Sequence, residues 1–364
     1  MSIKKKILIC PLDWGLGHAT RCIPVINELR SQGAGILLAA SGRAQAFYEK
    51  ELPGTPCIPF PGYEVRYSSG KRQAWKMTVQ LPAILNGIRK EHEALKKIAQ
   101  HHAIDGIISD NRFGCWHPSL PSVYMTHQRM VKMPFGLKWA EPLIFRYHRH
   151  IAGKYRFLWI PDYPGGENLS GDLAHKYPLP GHGCFTGPLS RFSLKGRHPE
   201  RERSGNIRVL AIVSGPEPQR SRFEDLLTGQ LKKYDRTSVL LAGRPESGEK
   251  PLRVNNLTVI PHLPSEKFLD MMQRSELILC RPGYSTIMDL HCLNKKAVLI
   301  PTPGQTEQEY LAERLKNSGQ YYGMSQWDFD LEKALMESVK YRPLAIPHQP
   351  DLLRNAVRQF LKIL

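Results

Sequence analysis

His18 combines a reactive side chain with a position suited to using it. It closes the run Gly15-Leu16-Gly17-His18, directly after the apolar segment Lys6–Cys10 and at the start of an expected helix. An imidazole there can face a ligand crevice and take up a proton near neutral pH. Asp110 follows the apolar run Gly106–Ser109, so both residues are expected at the carboxyl ends of strands along one sheet edge. A carboxylate bonded to one ring nitrogen fixes the tautomer and leaves the other nitrogen to act as a general base. The plainer alternatives are a helix-cap role for His18 and an Asx-turn for Asp110. Gly15 and Gly17 permit a tight turn and bring backbone N–H groups to a helix N-terminus, where anions bind. They do not complete a dinucleotide fingerprint. Thr20 stands where a third glycine is needed, and Ser41-Gly42 occupies the place of the acid expected after the second strand.

A second group of residues lies in the other half of the chain. Cys280-Arg281-Pro282-Gly283-Tyr284-Ser285-Thr286-Ile287-Met288-Asp289 runs from a strand into a helix. Helix N–H groups, the Ser285 and Thr286 hydroxyls and Arg281 are expected to form a phosphate site around Gly283. Asp289, one turn in, can accept from ribose hydroxyls; a plain cap with a surface acid is the alternative. Pro301–Tyr310 (P-T-P-G-Q-T-E-Q-E-Y) brings Gln305, Glu307 and Gln308 to another strand-to-helix turn, a set suited to a polyhydroxylated ligand. Gly215 sits in the first such turn of this half, Val213–Gln219, a further place for phosphates. Asp328-Phe329-Asp330 spells the D-x-D of metal-dependent sugar transfer. Asp330 precedes Leu331-Glu332-Lys333, however, so it is expected to cap a helix, and no metal is expected.

These residues need a scaffold that presents strand ends. Strand-like runs at Lys6–Cys10, Gly35–Ala40, Gly106–Ser109 and Val123–Met125 alternate with helical stretches at 18–31, 43–50 and 74–101, the last expected to break at Pro82. Ser193–Asn206 is almost devoid of apolar residues and reads as a linker. The alternation then restarts, with strands at 208–213, 238–242, 257–261, 276–280 and 297–301 and helices at 219–232, 265–273, 285–293 and 307–317. The fold class is α/β, two doubly wound Rossmann-like domains facing a cleft. The expected bounds are 1–190 for an acceptor-side domain, 191–206 for the linker, 207–345 for a nucleotide-sugar domain and 346–364 for a C-terminal helix.

With 364 residues, the chain is long enough for two such cores. No apolar run reaches the ~18 residues of a membrane span, and the basic N-terminus lacks the apolar region of a signal peptide. Seven cysteines without a C-x-x-C fit buried thiols in a reducing compartment, so a cytoplasmic location is expected. The net charge of +18 points to anionic partners. Residues 129–156 hold seven Lys or Arg interleaved with Trp139, Phe145 and Tyr147, beside Leu143 and Ile144. Such a stretch can lie on an anionic membrane at the inner face, or be an ordinary helix with solvated charges. No nucleic-acid motif is present, and no nucleic acid is expected.

Taken in order, G-L-G-H, the aspartate after a mid-domain strand, T-G-P at Thr186–Pro188, C-R-P-G-Y-S-T-I-M-D and P-G-Q-T-E-Q-E-Y resemble a GT-B glycosyltransferase. The resemblance is to the family 28 group, which contains the peptidoglycan N-acetylglucosaminyltransferase that makes lipid II. It implies an inverting, metal-independent and cofactor-free transfer from a nucleotide-sugar, a UDP-sugar, bound mainly to the second domain. The acceptor would be a glycan or lipid-linked molecule. By the same resemblance His18 is the base, Gly15 and Gly17 form its glycine loop, Asp289 holds the ribose, and Gln305, Glu307 and Gln308 reach the donor sugar. Asp110 resembles the aspartate partner of related plant-type enzymes. The first loop has one glycine fewer than the group's pattern, and Ser214–Gln219 (S-G-P-E-P-Q) replaces a glycine- and serine-rich turn. The acceptor and the donor sugar therefore stay open. The competing classes are a nucleotide-sugar epimerase of the same fold, which needs no acceptor, and a basic binding protein for nucleic acid or lipid surfaces, in which His18 would carry no activity.

Overall fold

The computed structural model describes residues 5–62, 73–134, 136–193, 207–244, 247, 250–344, 346–347 and 349–364, with side chains of 73–81 excepted. The linker expected at 191–206 falls mostly on 194–206, outside the described residues. The chain divides into two compact units, Met1–Arg191 with Pro347–Leu364, and Phe192–Ile346.

In the first unit the chain runs β1 (Lys6–Pro11), α1 (Leu16–Ser31), β2 (Gly35–Ala39), α2 (Gly42–Glu51), β3 (Cys57–Ile58), α3 (Gln73–His102), β4 (Gly106–Asp110), β5 (Ser122–Met125), α4 (Glu141–Ala152), β6 (Phe157–Ile160), α5 (Asp172–His175) and β7 (Gly183–Phe185). The seven strands lie in the order β3-β2-β1-β4-β5-β6-β7, and every pairing is parallel. Parallel strands covered on both faces must be apolar throughout. Ile7, Leu8, Ile9 and Cys10 of β1 and Ile107 and Ile108 of β4 are accordingly all fully buried. The strand order reverses between β1 and β4, the place where doubly wound sheets open a crevice at their carboxyl ends. There Pro11 pairs with Asp110.

Helix α3 departs from expectation by running through Pro82 without a break. A proline removes one N–H from the ladder, and a helix this long retains the bonds on either side. The basic, aromatic stretch contains the helix α4, and the chain beyond it supplies β6 and β7, on the far edge of the sheet.

The second unit runs β8 (Ile207–Ile212), α6 (Gln219–Leu231), β9 (Ser238–Leu241), β10 (Leu252–Val254), β11 (Leu257–Ile260), α7 (Ser265–Arg274), β12 (Ser275–Cys280), α8 (Tyr284–Cys292), β13 (Ala297–Leu299), α9 (Thr306–Asn317), β14 (Tyr322–Gly323) and α10 (Leu331–Ser338). Its strand order is β10-β11-β9-β8-β12-β13-β14. The reversal recurs between β8 and β12, where Ile212 pairs with Cys280. Among the described strands only β10 is antiparallel, joined to β11 by a two-residue Asn255-Asn256 turn with Asn255 at φ 54°. That is the positive-φ geometry a tight hairpin requires.

The chain then returns to the first unit as α11 (Pro350–Leu361). Phe360 of α11 is fully buried and meets the rings of Phe157 and Trp159 edge-on, with centroids 6.3 and 6.1 Å away. Gly106 makes room for it, since a Cβ there would lie 2.6 Å from the Phe360 ring. Among the described residues no helix is long and apolar enough to cross a membrane.

Candidate active site

The exits of β1 and β4 are tied together by the backbone, Leu12 N–H donating to Asp110 O at 3.0 Å. Asn111 follows in a left-handed turn, φ 58°, and its Oδ1 accepts from Tyr124 and Thr126 hydroxyls at 3.1 and 3.0 Å. The Asp110 side chain is thereby fixed beneath the first turn of α1. His18 Nδ1 lies 3.0 Å from Asp110 Oδ2. Asp110 is fully buried, whereas the His18 side chain is 18% exposed. A carboxylate only accepts, so Nδ1 carries the proton and Nε2 keeps its lone pair.

Sequence reasoning missed the third member of this group. Arg21, three residues after His18 on the same face of α1, donates from Nε to both Asp110 oxygens at 2.9 Å and adds a short Nη2 contact to Oδ1. Its Nη1 meets His127 Nδ1 at 3.0 Å. Burial alone would raise the Asp110 pKa, but Arg21 and His18 together hold it below the usual carboxylate range. Burial, then the Arg21 charge, lowers His18 from its ordinary 6.5 against the smaller opposing pull of Asp110. The result is a neutral imidazole beside an ionised carboxylate.

Of the glycine loop, Gly15 is extended at the start of α1, with open space where a Cβ would stand. Gly17 O accepts from the Thr20 hydroxyl at 3.0 Å. A second buried ion pair braces the turn after β1. Arg112 pairs with Glu91 at 2.5 Å and donates to the Pro11 and Pro61 carbonyls at 2.7 and 2.8 Å.

In the second unit the turns bearing Gly215, Gly283 and Gln305 leave the carboxyl ends of the adjacent strands β8, β12 and β13. Gly215 takes φ +115°, and a Cβ there would meet nothing within 4 Å. Gly283 caps α8 and, as a glycine, contributes no capping side chain. Ser285 and Thr286 occupy the first turn, half-buried, and Asp289 lies a turn further in, 8% exposed.

Arg281 corrects the expectation of a phosphate-binding side chain. It is 1% exposed, lies 3.8 Å over the Phe223 ring, and donates to Ile300 O, Pro301 O and Gln326 Oε1 at 3.0, 2.9 and 2.5 Å. Its guanidinium points into the core and its N–H groups hold the β13 exit, so its donors are spent on the protein. Burial lowers its pKa to about 9. Gln308 is corrected likewise: it is buried, and its Oε1 accepts from Thr302 N at 2.8 Å, bracing its own turn. Glu309 does the same for Gly304 N at 2.7 Å. Gln305 and Glu307 remain half-buried at the start of α9.

Asp330 caps α10, accepting from Lys333 N at 2.7 Å. Among the described residues no three His, Cys, Asp or Glu side chains gather as a metal site. Within 129–156 the aromatic residues separate. Phe145 turns inward and stacks on Tyr177 at 3.8 Å, and Arg129 is buried, donating to the Ala174, Tyr177 and Pro178 carbonyls. Trp139, Leu143 and Tyr147, spaced four apart, stay 70, 59 and 44% exposed.

Residues 232–349 match the glycosyltransferase family 28 C-terminal domain. An uncharacterized glycosyltransferase of Methanosarcina acetivorans is 22% identical over 86% of this chain and 84% of its own length. The UDP-N-acetylglucosamine--N-acetylmuramyl-(pentapeptide) pyrophosphoryl-undecaprenol N-acetylglucosamine transferase of Lawsonia intracellularis is 24% identical over 74% and 72%. Among solved structures, MurG of Acinetobacter baumannii superposes with a TM-score of 0.57 at 15% identity, covering 99% of this chain and all of that one. The spinosyn rhamnosyltransferase SpnG, complexed with thymidine diphosphate, gives 0.61 at 15%, covering 98% and 95%. The fold is GT-B. The chain is a glycosyltransferase whose residues 232–349 resemble the family 28 C-terminal domain.

Proposed function

We propose that the protein transfers a sugar from a UDP-sugar to an acceptor hydroxyl with inversion and without a metal ion, His18 serving as the base. One observation carries the reading: a neutral His18 whose Nδ1 is bonded to buried, ionised Asp110, which leaves Nε2 for a proton. The acceptor oxygen attacks the anomeric carbon, its proton passes to Nε2, and the bond to the nucleoside diphosphate breaks with the electron pair leaving on the phosphate. Attack opposite the leaving group inverts the centre.

The second unit supplies the donor site in this reading. Amides of the β12–α8 turn and the positive end of α8 meet the diphosphate charge, the buried Arg281 cation adds to it, and Asp289 accepts from ribose. Those groups do the work that a metal does elsewhere. The uridine nucleotide is favoured because the Lawsonia relative's name carries it.

The acceptor is proposed to be lipid-linked. The exposed Trp139-Leu143-Tyr147 stripe, flanked by exposed Lys138, Arg146 and Arg149, suits the surface of an anionic bilayer at the face where such an acceptor is presented. Sedimentation with vesicles containing phosphatidylglycerol should recover the protein. Loss of that binding in Trp139→Ser/Leu143→Ser is expected, and equal binding would remove the membrane part of the proposal.

The test of the whole is a thermal-shift screen over UDP-, GDP-, ADP- and TDP-sugars. At 100 times the dissociation constant a ligand adds about 2.7 kcal/mol of apparent stability. A shift with UDP-sugar that persists in EDTA is expected. Stabilisation by none of them, or only with added Mg²⁺, would contradict it. Donor consumed without acceptor and returned as an isomer would favour an epimerase.

A further inference from the structure

We propose that Arg21 is a positioning residue that sets the proton state of His18: its guanidinium shares both oxygens of Asp110 and offsets the pull of that carboxylate toward an imidazolium. Charge counting in the buried cluster leads to this. Asp110 contributes one negative charge and Arg21 one positive charge, both essentially removed from water at 0 and 1% exposure. The pair is already neutral. A proton on His18 would leave a net positive charge beside a guanidinium, which burial disfavours. Without Arg21 the balance reverses: Asp110 alone against His18 favours the imidazolium, and a protonated Nε2 cannot accept a proton from an acceptor hydroxyl.

The other titratable groups facing the cluster do not compensate. His127 meets Arg21 Nη1 through Nδ1 at 3.0 Å, and its effect on His18 runs in the same direction as that of Arg21, against an imidazolium. Cys22 Sγ lies 3.9 Å from Asp110 Oδ2, and the Tyr48 hydroxyl donates to Ala19 O at 3.1 Å. Burial raises both of these groups, keeping them neutral. Asp110 is thus the sole anion among these neighbours, and two bonds from a fixed Nε together with one from Nη2 orient it for His18. Arg21 also stabilises the ionised form of Asp110, so the carboxylate keeps His18 Nδ1 protonated. That the neutral imidazole matters for turnover rests on the base reading above; the effect of Arg21 on the His18 proton does not.

Histidine-selective NMR titration of the full chain reads His18 directly. The wild-type midpoint should lie below the ordinary 6.5. In Arg21→Met it should rise by about one to two units, the usual effect of an unopposed carboxylate at contact distance. A midpoint that stays or falls would overturn the proposal. Should Arg21→Met not fold, Asp110→Asn and Arg21→Met/Asp110→Asn provide the same comparison, because the double variant buries neither charge. His18 should titrate higher in the double variant than in Asp110→Asn, and equal midpoints would contradict the role given to Arg21. The acidic limb of donor hydrolysis separates the two claims. If the midpoint moves in Arg21→Met while that limb does not, His18 is not the base, yet Arg21 still sets its proton.

Discussion

Both units open at the same topological point, the reversal of strand order, and each buries an arginine there, yet the two arginines are treated differently. Arg21 in the first unit faces a buried carboxylate and is neutralised by it. Arg281 in the second unit has only carbonyls, an amide oxygen and the Phe223 ring, and among the described residues no carboxylate lies within ion-pair distance. The first arrangement is electrically balanced and holds a neutral base. The second leaves an uncompensated positive charge behind three strand-to-helix turns, which favours an anion in front of them. In the proposed reading, one fold feature serves proton transfer or anion binding according to whether an acid sits at the end of the neighbouring strand.

The comparison breaks most visibly at Asp110. Asp110→Asn removes the buried anion that faces the Arg21 guanidinium, which should destabilise the first unit by about 3–5 kcal/mol. It also loosens the His18 tautomer, so turnover should fall with stability; thermal unfolding and transfer assays measure both. The ion pair with Arg21 thus gives Asp110 a structural task that neither the orienting role nor the Asx-turn read from the sequence includes. Arg281→Met should cost the second unit about 2–4 kcal/mol, because the Ile300 and Pro301 carbonyls lose their donors. Donor affinity should weaken with it, and isothermal titration against UDP-sugar separates the two losses. Asp289→Ala should weaken donor binding by about 1.5–3 kcal/mol, the scale of a hydrogen bond to a charged group, without unfolding the unit. Asp330→Asn should change stability by only a few tenths of a kcal/mol, since asparagine also caps helices, and should leave turnover unaltered in EDTA. A metal requirement lost in that variant would show the D-x-D to be functional.

Much of this organisation is legible in the sequence, and the failures have physical reasons. Apolar runs followed by glycine-bearing turns mark β1, β4, β8 and β12, because strands buried on both faces are largely apolar; the exposed Arg208 and Glu276 fall only at the second position of β8 and β12. That same uniformity hides which way a residue at a strand's end points, so Arg281 reads as a ligand although its side chain enters the core. Arg21 escapes notice although its signal is present: a spacing of three from His18 puts both on one helix face. Asn255-Asn256 likewise marks the β10–β11 hairpin. The placement of Phe145 is not recoverable from its own segment, because Tyr177, its stacking partner, lies 32 residues away in the chain.

Turnover and donor binding measured together on His18→Ala test most directly whether His18 is the base. Turnover should fall on the order of 10²–10⁴-fold, the usual contribution of general base catalysis, with donor affinity unchanged because the proposed nucleotide contacts lie in the other unit. In wild type, the lowered His18 pKa should place the acidic fall in rate at lower pH than an ordinary imidazole would, the rate falling as the imidazole takes up a proton. Near wild-type turnover in His18→Ala, or a loss explained wholly by weaker donor binding, would contradict the assignment and leave His18 a residue that shapes the start of α1.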